Sequence, residues 1–198
     1  DLWVSGKPSD VIRFVYSIAP DEKASYHHID FPPINGIPVE VHYRPCYLQN
    51  PLHNYRLQRL FEKYAEKQFS NDVVLGNGKV AIPTASFNAV YQLVHIYNHL
   101  FQEGIGLRQI VDSYFVIEKW HTNLTNLSDI DAFWHELKWL GLWKFAGSVM
   151  YVLHEVLGLQ ENKMIVPMDA KRGRLLLEEI LQGGNFGQYD VRYCFGHS

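Results

Sequence analysis

Glu40, His42 and Arg44 alternate with Val39, Val41 and Tyr43 in the segment IPVEVHYRP, residues 37–45. On a strand, period-two spacing sets an acid, an imidazole and a guanidinium in one row while Ile37, Val39 and Val41 face the other way. Such a row can bind a cation, move a proton or hold a phosphate, and it costs free energy unless water, a partner or a metal satisfies it. A half-solvated strand with surface charges is the plainer reading. Asp1 is a second carboxylate in a strand-like opening, DLWV. Acids on two neighbouring strands are what a hard divalent cation such as magnesium needs, so Asp1 and Glu40 form a candidate pair. Arg44 has three open roles: steadying Glu40, contacting phosphate, or making a surface ion pair.

Other residues carry weaker signals. His95 and His99 lie one helical turn apart, a spacing compatible with zinc, but position 96 is Ile where the metallopeptidase motif has Glu. Their apolar and aromatic surroundings read as core or interface. Arg108 follows Gly104-Ile105-Gly106; its fork suits phosphate, and ordinary helix–helix turn chemistry with an Arg108–Asp112 pair explains the same letters. The basic cluster Lys171, Arg172 and Arg174 reads as a solvated helix start. Cys46 and Cys194 have neither a disulfide framework nor a zinc-knuckle spacing, and no base stands near Cys46 in sequence.

The elements that must position these groups change character near residues 46–50. Before that point the pattern is strand-like: residues 1–5, a turn at Gly6 to Ser9, a stretch from Val11 to Ile18 of undecided type, a strand over residues 24–31, and the central strand. The Asn35-Gly36 link makes a hairpin plausible and would bring His27 or His28 near Glu40. Beyond it helical periodicity takes over. Asn50 with Pro51 starts a helix whose apolar side is expected to be Leu52, Tyr55, Leu57, Leu60, Phe61 and Tyr64. A turn-rich link over residues 71–82 follows, and further helices are expected over about 84–103, 107–120, 128–140, 142–157 and from 169. Phe101 and Phe115 are expected on apolar stripes, and Ser128 with Asp131 resembles a capping box. The predicted domains are residues 1–48, strand-rich, and residues 49–198, helical.

Composition bounds the partners. The chain has 198 residues, 47% hydrophobic and 20% charged, which places it among ordered globular proteins. A formal charge of −3 with 10 neutral histidines gives no strong nucleic-acid footprint. No apolar run reaches membrane-spanning length, and with two cysteines a cytoplasmic setting is the default.

The runs IDF and VEVHYRP, then NPLHNYRLQRLFEKYAEKQF and FNAVYQLVHIYNHLFQEGIGLRQIVDSYFV, resemble the uncharacterised bacterial nucleotidyltransferase-like proteins of the DNA polymerase β-type superfamily. The resemblance implies an α+β fold, with a small mixed nucleotidyltransferase sheet followed by a helical domain. It implies an Asp-x-Asp pair on one strand and a third acid on its neighbour. Asp1 matches the second aspartate of that pair and Glu40 the third acid, so the first aspartate and a glycine-rich phosphate-binding segment are expected upstream. The chain as it stands is therefore expected to show negligible turnover. Two Mg2+ ions, an NTP substrate and an unknown hydroxyl-bearing acceptor are implied, with His42 and Arg44 organising the acceptor or contacting phosphate. Arg108 falls in the distinctive HIYNHLFQEGIGLRQIVD block, for which the resemblance supplies no chemical role. The alternative is a catalytically inactive nucleotide-binding or regulatory protein on the same fold.

Overall fold

The computed structural model describes residues 1–102, 104–122 and 127–183, the side chains of residues 102, 127, 128 and 183 excepted. Glu103, the Ser128 side chain expected to cap a helix, Cys194 and the tail from residue 184 lie outside the described residues. The chain divides into two compact units, Asp1–Ile82 and Pro83–Ser198. The division between units comes after residue 82, so the helix Pro51–Phe69 and the hairpin over residues 72–81 belong to the first unit.

The first unit is built on a three-stranded mixed sheet of order β1-β3-β2. Strand β1 (Leu2–Trp3) runs parallel to β3 (Ile37–His42), with Leu2 beside Val41 and Trp3 beside His42. Strand β2 (His28–Ile34) runs antiparallel to β3 and pairs Asp30 with Glu40 and His28 with His42. Asn35 and Gly36, both at positive φ, close the β2–β3 hairpin, a backbone shape these two residues adopt at little cost. Pro32 and Pro33 lie inside β2. They fall where the register shifts between Phe31 and Ile34 on an edge strand, so their missing donors break little of the ladder.

Alternation along β2 and β3 separates two faces. Ile29 and Val41 enter a core with Val11 and Val15 of helix α1 (Pro8–Ile18), the stretch of undecided type, and with Tyr43. Ile37 departs from the expected inward set and is 66% exposed, because it sits at the hairpin end beyond the reach of that core. Helix α2 (Pro51–Phe69) begins as its sequence predicts: the Asn50 side chain accepts from the backbone N–H groups of Leu52 and His53 at 3.1 Å each. Trp3 packs against Phe61 and Phe69 of this helix. A hairpin of β4 (Asp72–Leu75) and β5 (Gly78–Ala81) closes the unit.

The second unit is helical: α3 (Ala85–Gln102), α4 (Leu107–Thr122), α5 (Leu127–Trp139), α6 (Trp143–Leu157) and α7 (Ala170–Gly183). Leu93, Ile96, Ile110, Leu137, Met150 and Leu153 are buried in it. Phe101 and Phe115 are not; both are more than half exposed, since each lies at the edge of a stripe wider than the packed face. Gly147 and Gly173 let α6 and α7 approach closely. A Cβ at Gly173 would lie 2.3 Å from Cβ of Tyr151, which cannot swing aside as a side-chain tip would. Gly173→Ala is therefore expected to destabilise the protein by about 1–3 kcal/mol through overpacking. Thermal or urea unfolding checks this, and an unchanged midpoint would reject the close-packing account.

Candidate metal and nucleotide site

Asp1, Glu40 and His42 come together because β1 and β3 are paired in parallel register, which directs side chains of adjacent residues to the same face. His42 Nε2 lies 3.1 Å from Glu40 Oε2 and 3.8 Å from Asp1 Oδ2. The hairpin adds His28 and Asp30 to this face: His28 Nδ1 is 3.9 Å from Glu40 Oε2, and His28 Nε2 is 3.7 Å from Asp30 Oδ1. His27 joins from the turn before β2, its Nε2 3.1 Å from His28 Nδ1. The Ser25 hydroxyl lies 3.5 Å from His27 Nδ1 and 3.1 Å from His28 Nδ1.

Three sets of potential ligands result, each with its donor atoms within 4.8 Å of one another: Asp1, Glu40 and His42; His28, Asp30 and Glu40; and His27, His28 and His42. The carboxylates are about half exposed, whereas the His42 side chain is 6% exposed. Hydrated acids thus ring a dry imidazole. Burial holds the His42 pKa below the ordinary histidine value, against the upward pull of its hydrogen bond to Glu40. The His27 pKa is lowered to about 4, first by burial and then by His28 and His42. The Cys46 thiol is pushed up by burial, which removes it from nucleophilic chemistry at neutral pH.

Arg44 departs from the expected row. β3 ends at His42, so strand alternation stops before Arg44. The guanidinium donates to the Tyr26 carbonyl at 2.6 Å and lies over the Tyr26 ring at 4.6 Å. Arg44 is also among the residues that line a cavity of about 270 Å3, with Trp3, Gln58, Phe61 and Glu62. Arg108 is exposed near the start of α4, in the second unit. His95 and His99 meet edge-on at 4.3 Å between ring centroids, but they belong to none of the three-ligand groups found among the described residues. Asp30 was not singled out from sequence; its signal was the alternation of the strand His28–Ile34 opposite Glu40.

A family model described as uncharacterised nucleotidyltransferase matches residues 13–158. The chain belongs to that family. This nucleotidyltransferase-family match contains Glu40, His42, Arg44 and the paired histidines, while Asp1 precedes the matched residues. No curated protein and no solved structure matches the chain significantly. The α+β architecture with its small mixed sheet agrees with a nucleotidyltransferase-like fold. No described helix is long and apolar enough to cross a membrane.

The lowered His27 pKa carries a pH dependence. Between about pH 6.5 and about pH 4 the unfolded chain binds a proton that folded His27 excludes. This contribution is fully present above the unfolded pKa and is lost as pH falls through the window. In the presence of chelator, wild type should lose more thermal stability than His27→Gln between about pH 7 and about pH 5. Equal losses in the two proteins would reject the assignment.

Proposed function

We propose that this protein transfers a nucleoside monophosphate from an NTP to a hydroxyl-bearing acceptor, using the Asp1–Glu40 face. The observation that carries this reading is the meeting of Asp1, Glu40 and His42, whose donor atoms lie within 4.8 Å of one another in a chain of nucleotidyltransferase ancestry. Asp1 and Glu40 offer the oxygen donors that suit a hard cation such as Mg2+, and both are accessible to solvent and substrate. When bound, such an ion lowers the pKa of an acceptor hydroxyl and neutralises charge on the leaving pyrophosphate.

The residues of the chain have separate tasks in this reaction. The acceptor oxygen attacks the α-phosphorus, the bond from that phosphorus to the bridging oxygen breaks, and pyrophosphate departs with the bonding pair. The acceptor proton passes to Glu40 or to water. His42, held on one side by the Arg44 carbonyl and on the other by Glu40, orients the carboxylate. Arg44, one of the residues lining the cavity that also contains Trp3 and Phe61, carries a guanidinium that could turn to a phosphate held there beside an aromatic or apolar group.

Glu40→Ala in the full-length protein, assayed with magnesium and labelled nucleotide mixtures, should lose about 10²- to 10⁴-fold in pyrophosphate release. Release undiminished by the substitution would sink the assignment of Glu40. Nucleotide binding by wild type without pyrophosphate release would replace catalysis with a binding or regulatory role on the same fold.

A further inference from the structure

Two carboxylates account for a hard cation, but they do not account for three imidazoles converging beside them. His27 Nε2 lies 3.1 Å from His28 Nδ1, His42 Nε2 lies 3.1 Å from Glu40 Oε2, and His28 Nδ1 lies 3.9 Å from that same oxygen. Bonds of about 2.0–2.1 Å to a tetrahedral ion separate neighbouring donors by about 3.3–3.4 Å. The three imidazole donors lie within 4.8 Å of one another and Glu40 stands 3.1 Å from His42 and 3.9 Å from His28, so closing the set onto one ion takes side-chain shifts of up to about 1.5 Å.

Each ring also has an outer partner for its other nitrogen. His27 Nδ1 has the Ser25 hydroxyl at 3.5 Å, His28 Nε2 has Asp30 at 3.7 Å, and His42 Nδ1 has the Arg44 carbonyl at 3.3 Å. Metal-binding histidines are held by an oxygen on the nitrogen that faces away from the ion, as the Arg44 carbonyl does for His42, while the Ser25 hydroxyl 3.1 Å from His28 Nδ1 would give way to an ion there. The His42 contact is the most informative. His42 Nδ1 faces the Arg44 carbonyl at 3.3 Å, so Nε2, 3.1 Å from Glu40 Oε2, is the nitrogen turned towards the cluster.

We propose that His27, His28 and His42, with Glu40 as the fourth donor, bind one divalent transition ion of the zinc class, which contends with a hard cation for Glu40. Three nitrogen donors favour such an ion over magnesium, which takes oxygen ligands. Binding stands on these distances alone; the effect on turnover rests on the nucleotidyl-transfer reading.

Titrating metal-free full-length protein with Co2+ tests it. The expected result is one ion per chain, the strong visible absorption of four-coordinate cobalt, and displacement by Zn2+ but not by equimolar Mg2+. His27→Ala and His28→Ala should each weaken binding by about 100-fold or more, and Asp30→Asn by about 10-fold, whereas His95→Ala should not. Circular dichroism identifies any variant that fails to fold, and the wild-type cobalt spectrum then decides without it. Absent stoichiometric binding, or the weak spectrum of six-coordinate cobalt, overturns the site. One equivalent of Zn2+ should reduce magnesium-supported pyrophosphate release; occupancy without inhibition overturns the contention for Glu40. Absent pyrophosphate release under every condition counts against the transferase reading and leaves the cobalt result intact.

Discussion

Strand β3 is the constraint from which the first unit follows, because it is the middle strand and its two sides have opposite needs. Val41 must leave water, and it does so against Ile29 and the α1 residues Val11 and Val15. Glu40 must keep water or find a cation, and it points to the opposite face. Pairing on both edges of β3 then dictates which residues join it there. A one-residue slip in either register would move Asp1 or His28 and Asp30 to the apolar side. The hydrophobic demand of one face thus places the ionisable groups of the other.

His42 feels both demands at once. It belongs to the polar row, yet its side chain is almost fully removed from solvent by His27 and His28, whose ring centroids lie 5.2 and 5.3 Å away. A buried imidazole needs partners for both nitrogens, and here they are the Arg44 carbonyl and the Glu40 carboxylate. That pair of contacts ties the end of β3 to the acid beside it and limits how Glu40 can turn. The arrangement sets Glu40 between two groups of donors, Asp1 on the exposed side and the imidazoles of His28 and His42 on the other.

Arg44 illustrates how a local rule stops at an element boundary. Alternation placed it in the row, but the strand ends at His42, and the guanidinium finds the Tyr26 carbonyl and ring instead. Arg44 is also among the residues lining the cavity with Trp3 and Phe61, and its charge still reaches His27, whose pKa it helps to lower. Phe101 and Phe115 show the same limit on helices, where a stripe broad enough to include them exceeds the face that neighbours cover.

The sequence by itself determined the α+β order of elements, the Asn-Gly hairpin, the Asn50 cap and the opposite sides of Val41 and Glu40 on β3, since these depend on backbone preference and period. It also contained the acid at Glu40 and the resemblance that family membership bears out. Only the tertiary structure decided that Asp30 and both His27 and His28 share a face with Glu40, and that Arg44 leaves it. The reason is that register between strands and burial of a ring are properties of pairs distant in the chain. No one-dimensional pattern specifies the distance between two side chains; the shared core of β2, β3 and α1 does.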